Sequence, residues 1–167
     1  MDYFELIKNR HSVRSYKDDP VEENKLKQIL EAARLAPTAC NRQAFKIVVM
    51  RTKDHADELH RIYPMRFFTQ APIVLGIFTK PDETWMRSDG INYGEVDAAI
   101  VMDHIILAAT ALGLGTCWIG AFDPDVARQV IGLDNGYEPV AFTPVGYAKS
   151  SNFTKNRKGL EEIVVYI

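Results

Sequence analysis

The sequence predicts an α+β fold in which helices cover a single sheet, and three observations carry that expectation. Helical and strand periodicities alternate along the chain instead of separating into blocks. Short runs rich in β-branched residues are bounded by turn residues, as buried strands are. One long central segment is apolar on nearly every side, which suits a helix enclosed between layers. With 167 residues, 47% of them hydrophobic, the chain is sized for one domain spanning 1–167.

The elements follow in order. A short amphipathic helix opens the chain ahead of Arg10. Leu26, Ile29, Leu30, Ala33 and Ala36 recur at helical spacing; Pro20, Glu22 and Glu23 form a good start and Pro37 a stop, so a helix is expected over 22–36. The runs 45–50 and 73–79, the latter opened by Pro72, read as buried strands, with an exposed helix of thin apolar face over 53–63 between them. The segment 96–114 is long enough to tempt a membrane reading, but Asp97, Asp103 and His104 sit inside it. A core helix, with a second subunit as a further partner, accounts for it better. A strand over 116–120 follows, then a helix capped by Asp123 with Pro124 at its first position, then strands over 140–147 and 160–166. Two loops stand out: 80–93, which joins a strand to the core helix, and 149–158, which is basic and contains no acid.

Composition excludes several classes of function. A formal net charge of −2 gives no general attraction to nucleic acid or anionic membrane. Asp2, Glu5 and Lys8 interrupt the apolar stretch a secretory signal would need, which points to a cytoplasmic protein. Cys40 and Cys117 lie far apart, in no metal-ligand or C-x-x-C spacing, so no metal site is expected and two free thiols suit a reducing compartment. Cys40 is expected to be a buried, inert thiol.

Three stretches can carry chemistry. Arg10, His11, Ser12 and Arg14 form a basic cluster with a hydroxyl, which is either a solvated turn or a clamp for phosphate, since guanidinium forks and hydroxyls match phosphate oxygens. Lys155 and Arg157 form a second basic group that joins the first only if the fold brings them together. Between a helix and a strand lie Pro37, Thr38, Ala39, Asn41 and Gln43, whose amides either hydrogen-bond a planar heterocycle or satisfy nearby backbone groups. The G-x-G at 113–115 precedes a strand and lacks a third glycine in register, so there is no dinucleotide fingerprint and no phosphate-binding loop.

Taken together, R-H-S-V-R, A-P-T-A-C-N-R-Q, G-L-G-T-C-W-I-G and K-N-R-K-x-L-E-E-I-V occur in the order seen in nitroreductases, and the resemblance spans essentially the whole chain. It implies a three-layer α-β-α sandwich around a mixed, mainly antiparallel sheet, built as an interlocked homodimer with FMN at the interface. By matching position, Arg10, His11, Ser12, Lys155 and Arg157 resemble contacts to the FMN phosphate and ribityl chain. Arg14 resembles a residue at the pyrimidine edge of the flavin, Pro37, Thr38 and Ala39 resemble a segment given by the partner subunit, and Asn41 and Gln43, in the same 37–43 strip, resemble polar contacts to the flavin. Trp118, Ile119 and Gly120 resemble the stretch whose backbone approaches flavin N5. The chain departs from the family in having Gln43-Ala44-Phe45 where Gln-Pro-Trp is common, and in the shortness of its 80–93 loop. The implied activity is a ping-pong transfer of electrons from NADH or NADPH through FMN to a small electron-poor acceptor such as a nitroaromatic or quinone. A flavin-storing or flavin-sensing protein, or a flavin-modifying or dehalogenating branch, is the alternative.

Overall fold

The computed structural model describes residues 2–133, 136–150 and 152–167. Helix α1 (Tyr3–Asn9) is capped by Asp2, whose carboxylate accepts the Glu5 amide, and α2 (Glu23–Arg34) buries Leu26, Ile29 and Ala33. Strand β1 (Phe45–Arg51) leads into α3 (Thr52–Ile62) and the short α4 (Arg66–Gln70), and then β2 (Ile73–Thr79) crosses the middle of the molecule. The core helix α5 (Gly94–Ala111) is followed by a short β3 (Gly115–Thr116), α6 (Pro124–Ile131), β4 (Glu138–Gly146) and a single turn, α7 (Leu160–Ile163). Asp123 caps α6 as the sequence predicts, accepting the amides of Asp125 and Val126 ahead of the proline start.

The sheet has the order β1-β2-β4-β3, with each neighbouring pair antiparallel; a parallel contact occurs at the isolated bridge between Ser12 and Thr116. Every residue of β2 is buried, because helices cover both faces of the sheet. Side-chain alternation divides that strand between two cores. Ile73, Leu75 and Ile77 pack with α2 and α5, whereas Val74 and Phe78 pack on the other face with residues of α3, α4 and α6. Phe142 centres the second core, fully buried and met edge-on by Phe68, Phe78 and Phe122. The result is the expected α-β-α sandwich.

Three local expectations change. The stretch 160–166 is one helical turn and an exposed extended tail, not a strand. The Gly159 amide donates to the Glu162 carboxylate, which closes the turn, and among the described residues no strand pairs with the β-branched residues that follow. The predicted 116–120 strand shrinks because the Cys117 amide is taken by the Thr143 hydroxyl at 3.2 Å, and pairing resumes only at the isolated Ile119–Phe142 bridge. The 80–93 loop is itself folded: Met86 bridges Asn92, and Trp85 meets the Tyr93 ring edge-on at 4.8 Å. Within the basic 149–158 loop, Ser151 lies outside the described residues. No helix among the described residues is long and apolar enough to cross a membrane.

Candidate functional site

Residues 10–16 leave α1 and run along the edge of β3. The Val13 amide donates to the Thr116 carbonyl at 2.8 Å, and the Tyr16 hydroxyl donates to the Val13 carbonyl at 2.8 Å. Val13 and Tyr16 are buried while Ser12 and Arg14 stay exposed, so the alternation aims the polar side chains outward. Burial pushes the Tyr16 phenol well above its ordinary range. This seating depends on Gly115, where a Cβ would stand 2.6 Å from Val13 Cγ2.

The fold brings the two basic groups together. Lys155 Nζ donates to the Ile7 and Lys8 carbonyls, both at 2.6 Å, and so closes the C-terminal turn of α1. Its ammonium is held below the ordinary lysine range, first by desolvation and then by the positive charges of Arg10 and Arg157. Cys117 adjoins the same cluster: burial pushes its thiol up, against the opposing pull of Arg14, a hydrogen bond from Ser12, and Arg10. Among the described residues, the ion pairs join other groups, and no carboxylate pairs with Arg10, Arg14, Lys155 or Arg157. His11 stacks on Phe153 with ring centroids 3.9 Å apart. Further along, reciprocal backbone bonds to Phe142 at 2.8 and 3.0 Å hold the buried Ile119 and leave its neighbours Trp118 and Gly120 exposed.

The 37–43 stretch forms a tight turn around a 3-10 segment, Ala39–Asn41. The Ala39 amide donates to Asp97 Oδ1 at 2.8 Å, the Gln43 amide to the Thr38 hydroxyl at 3.1 Å, and Gln43 Nε2 to Asn41 Oδ1 at 3.1 Å. Thr38 therefore serves its own backbone, as one of the two sequence readings had it, while Asn41 and Gln43 remain on the surface with Pro37. Cys40, Asn41 and Gln43 hold φ of 50°, 52° and 51°, a region that non-glycine residues rarely adopt. Contrary to expectation, Cys40 is exposed, its left-handed backbone placing it on the outside of the turn.

Within one chain the two groups of residues do not meet. Phe45, just beyond the turn, pairs with Thr79 at one end of β2, whereas Thr116, which holds Val13, pairs with Val145 opposite Ile73 at the other end. A seven-residue strand separates those ends by roughly 20 Å. Two clefts, of 430 and 480 Å³, lie elsewhere and are lined by none of the predicted site residues. Sequence reasoning missed the stacking role of Phe153 and the contact made by Asp97, although an acid inside an apolar run was a usable signal.

The fold agrees with what the chain is similar to. Residues 7–65 and 63–147 match a family model described as the nitroreductase family. A nitroreductase family protein from Clostridium difficile superposes with a TM-score of 0.92 at 35% identity, covering 99% of this chain and 98% of its own. An FMN-dependent nitroreductase from the same species superposes with a TM-score of 0.81 at 26% identity, covering 97% and 96%. Among curated relatives, the NADH dehydrogenase of Thermus thermophilus is 26% identical over 188 residues, which is 94% of this chain and 92% of that protein.

Proposed function

The chain belongs to the nitroreductase family, and from that membership we propose that it is an FMN-dependent NAD(P)H oxidoreductase acting as a homodimer. The observation that carries the reading is the convergence of Arg10, Lys155 and Arg157, none of them ion-paired to a carboxylate among the described residues. A lysine whose protonation is disfavoured by burial and by two neighbouring guanidinium charges calls for an anion, and a phosphate monoester has the charge and the acceptor oxygens to fit the three cations. FMN, when bound, supplies a two-electron carrier that accepts hydride from NADH or NADPH and then, in ping-pong fashion, reduces a small acceptor such as a nitroaromatic or quinone.

Each part of the chain has a distinct task. Arg10, Lys155 and Arg157 bind the phosphate, with Ser12 and the seated backbone of His11 beside them. Exposed Arg14 contributes fixed positive charge toward the pyrimidine edge. Pinned through Ile119, the 118–120 backbone stays firm, and Gly120 keeps side-chain bulk away from the reacting face. Pro37, Thr38, Ala39, Asn41 and Gln43 come from a second copy. The separation of the two groups along β2 supports that arrangement, as does the exposure of Leu160, Ile163, Val165, Tyr166 and Ile167, an apolar tail suited to cover by another chain. The test is an absorbance spectrum of the purified protein before and after anaerobic NADH and NADPH. A flavin spectrum that bleaches supports the oxidoreductase, one that persists supports a storage or sensing role, and a colourless protein that takes up no FMN refutes the reading.

A further inference from the structure

Asp97 is only 3% exposed and sits in the first turn of α5, whose other buried residues are uncharged. Burying a carboxylate is unfavourable unless its oxygens are engaged. Oδ1 accepts the Ala39 amide at 2.8 Å, but Oδ2 has no hydrogen-bond partner among the described residues. The helix N-terminus offsets part of the charge, yet stability alone would favour an apolar residue here. What Oδ1 does hold is the Ala39 amide.

What it holds is strained. Cys40, Asn41 and Gln43 all have left-handed φ in a turn without glycine, a conformation that persists only when its surroundings enforce it. The turn's other bonds close on itself: the Asn41 amide to the Thr38 carbonyl, the Arg42 amide to the Ala39 carbonyl and the Gln43 amide to the Thr38 hydroxyl. The Ala39–Asp97 bond instead ties the turn to the core helix, and its charged acceptor makes it strong.

We propose that Asp97 is a positioning residue whose buried carboxylate, by accepting the Ala39 amide, locks the 38–43 turn into the strained form that meets the flavin. The flavin half of this rests on the function proposed above; the locking half does not. The experiment compares full-length wild type with Asp97→Asn, Asp97→Ala, Asp97→Leu and, as a core control in the same helix, Ile105→Val. Asparagine keeps an oxygen acceptor, whereas leucine removes it while filling the space, so at least one acceptor-free variant folds. Ala39 amide hydrogen exchange without FMN, the thermal midpoint and FMN affinity by fluorescence quenching are the readouts. We expect the acceptor-free variants to exchange Ala39 at least tenfold faster and bind FMN at least tenfold more weakly. Asp97→Leu should do so without a lower midpoint, Asp97→Asn should stay within about threefold of wild type, and Ile105→Val should lose midpoint alone. Equal Ala39 exchange in every variant overturns the proposal whatever happens to FMN. Faster exchange with undiminished FMN affinity overturns its flavin half. If wild type itself binds no FMN while exchange still depends on Asp97, the locking role stands and the proposed function falls.

Discussion

Replacing Arg10 by alanine tests the phosphate clamp most directly. Arg10 is half-buried at the end of α1, close enough to Lys155 and Arg157 for its charge to lower the Lys155 ammonium. A bond from its guanidinium to the phosphate of the proposed FMN would be charge-assisted, and such bonds contribute about 1.5–3 kcal/mol. At about 1.4 kcal/mol per decade, FMN affinity should fall roughly 10- to 140-fold. Riboflavin has the same ring and ribityl chain but no phosphate, so its affinity should move by less than about threefold, well under one decade. Fluorescence titration of the apoprotein with both flavins, at low and high salt, separates the two contributions, because a lost charge contact also flattens the salt dependence. Arg10→Lys should recover part of the loss, since it restores the charge without the planar fork. Equal losses for FMN and riboflavin would refute the phosphate assignment.

The same cluster makes a prediction about pH. Because the folded chain holds the Lys155 ammonium below its ordinary value, the unfolded chain binds more protons between the two pKa values, so apoprotein stability should rise with pH across that alkaline interval. Lys155→Met should remove this slope in denaturant titrations, and an unaltered slope would count against the clustering. Gly115→Ala places a Cβ 2.6 Å from Val13 Cγ2 and should cost about 1–3 kcal/mol while displacing 10–14. FMN affinity should fall more than a comparable core substitution allows, and lost stability with unchanged affinity would refute the seating role. For the shared site, mixing Arg10→Ala/Arg157→Ala with Thr38→Ala/Asn41→Ala should restore up to half the sites in each heterodimer, and no recovery after verified subunit exchange would refute it.

How far the sequence reveals the fold depends on whether an element's reason lies within itself. β2 matches its expected bounds because a strand covered on both faces is an unbroken apolar run, and α6 matches because its cap and proline are local signals. Elements defined by a partner fare worse. The stretch 160–166 reads as a strand, yet strand identity requires a neighbouring edge, and among the described residues none pairs with it. α4, with five residues, is too short to show periodicity at all.

The candidate site divides along the same line. Its cation half is legible because a loop without acids and an arginine-rich turn are compositional facts, and only their meeting requires the fold. The 37–43 half is legible as a polar turn but not in its conformation, since no glycine announces the left-handed residues that leave Cys40 exposed. Asp97 owes its role to a residue 58 positions away, so within the sequence it shows only as an acid where an apolar residue would serve better. That misfit is informative: a buried, half-engaged carboxylate and three strained residues are tolerated near the end of β2 opposite the one that the cation segment adjoins. Strain concentrates where geometry matters for binding. A turn strained roughly 20 Å along β2 from the cation cluster of the same chain fits the proposal that it serves a flavin held by a second copy.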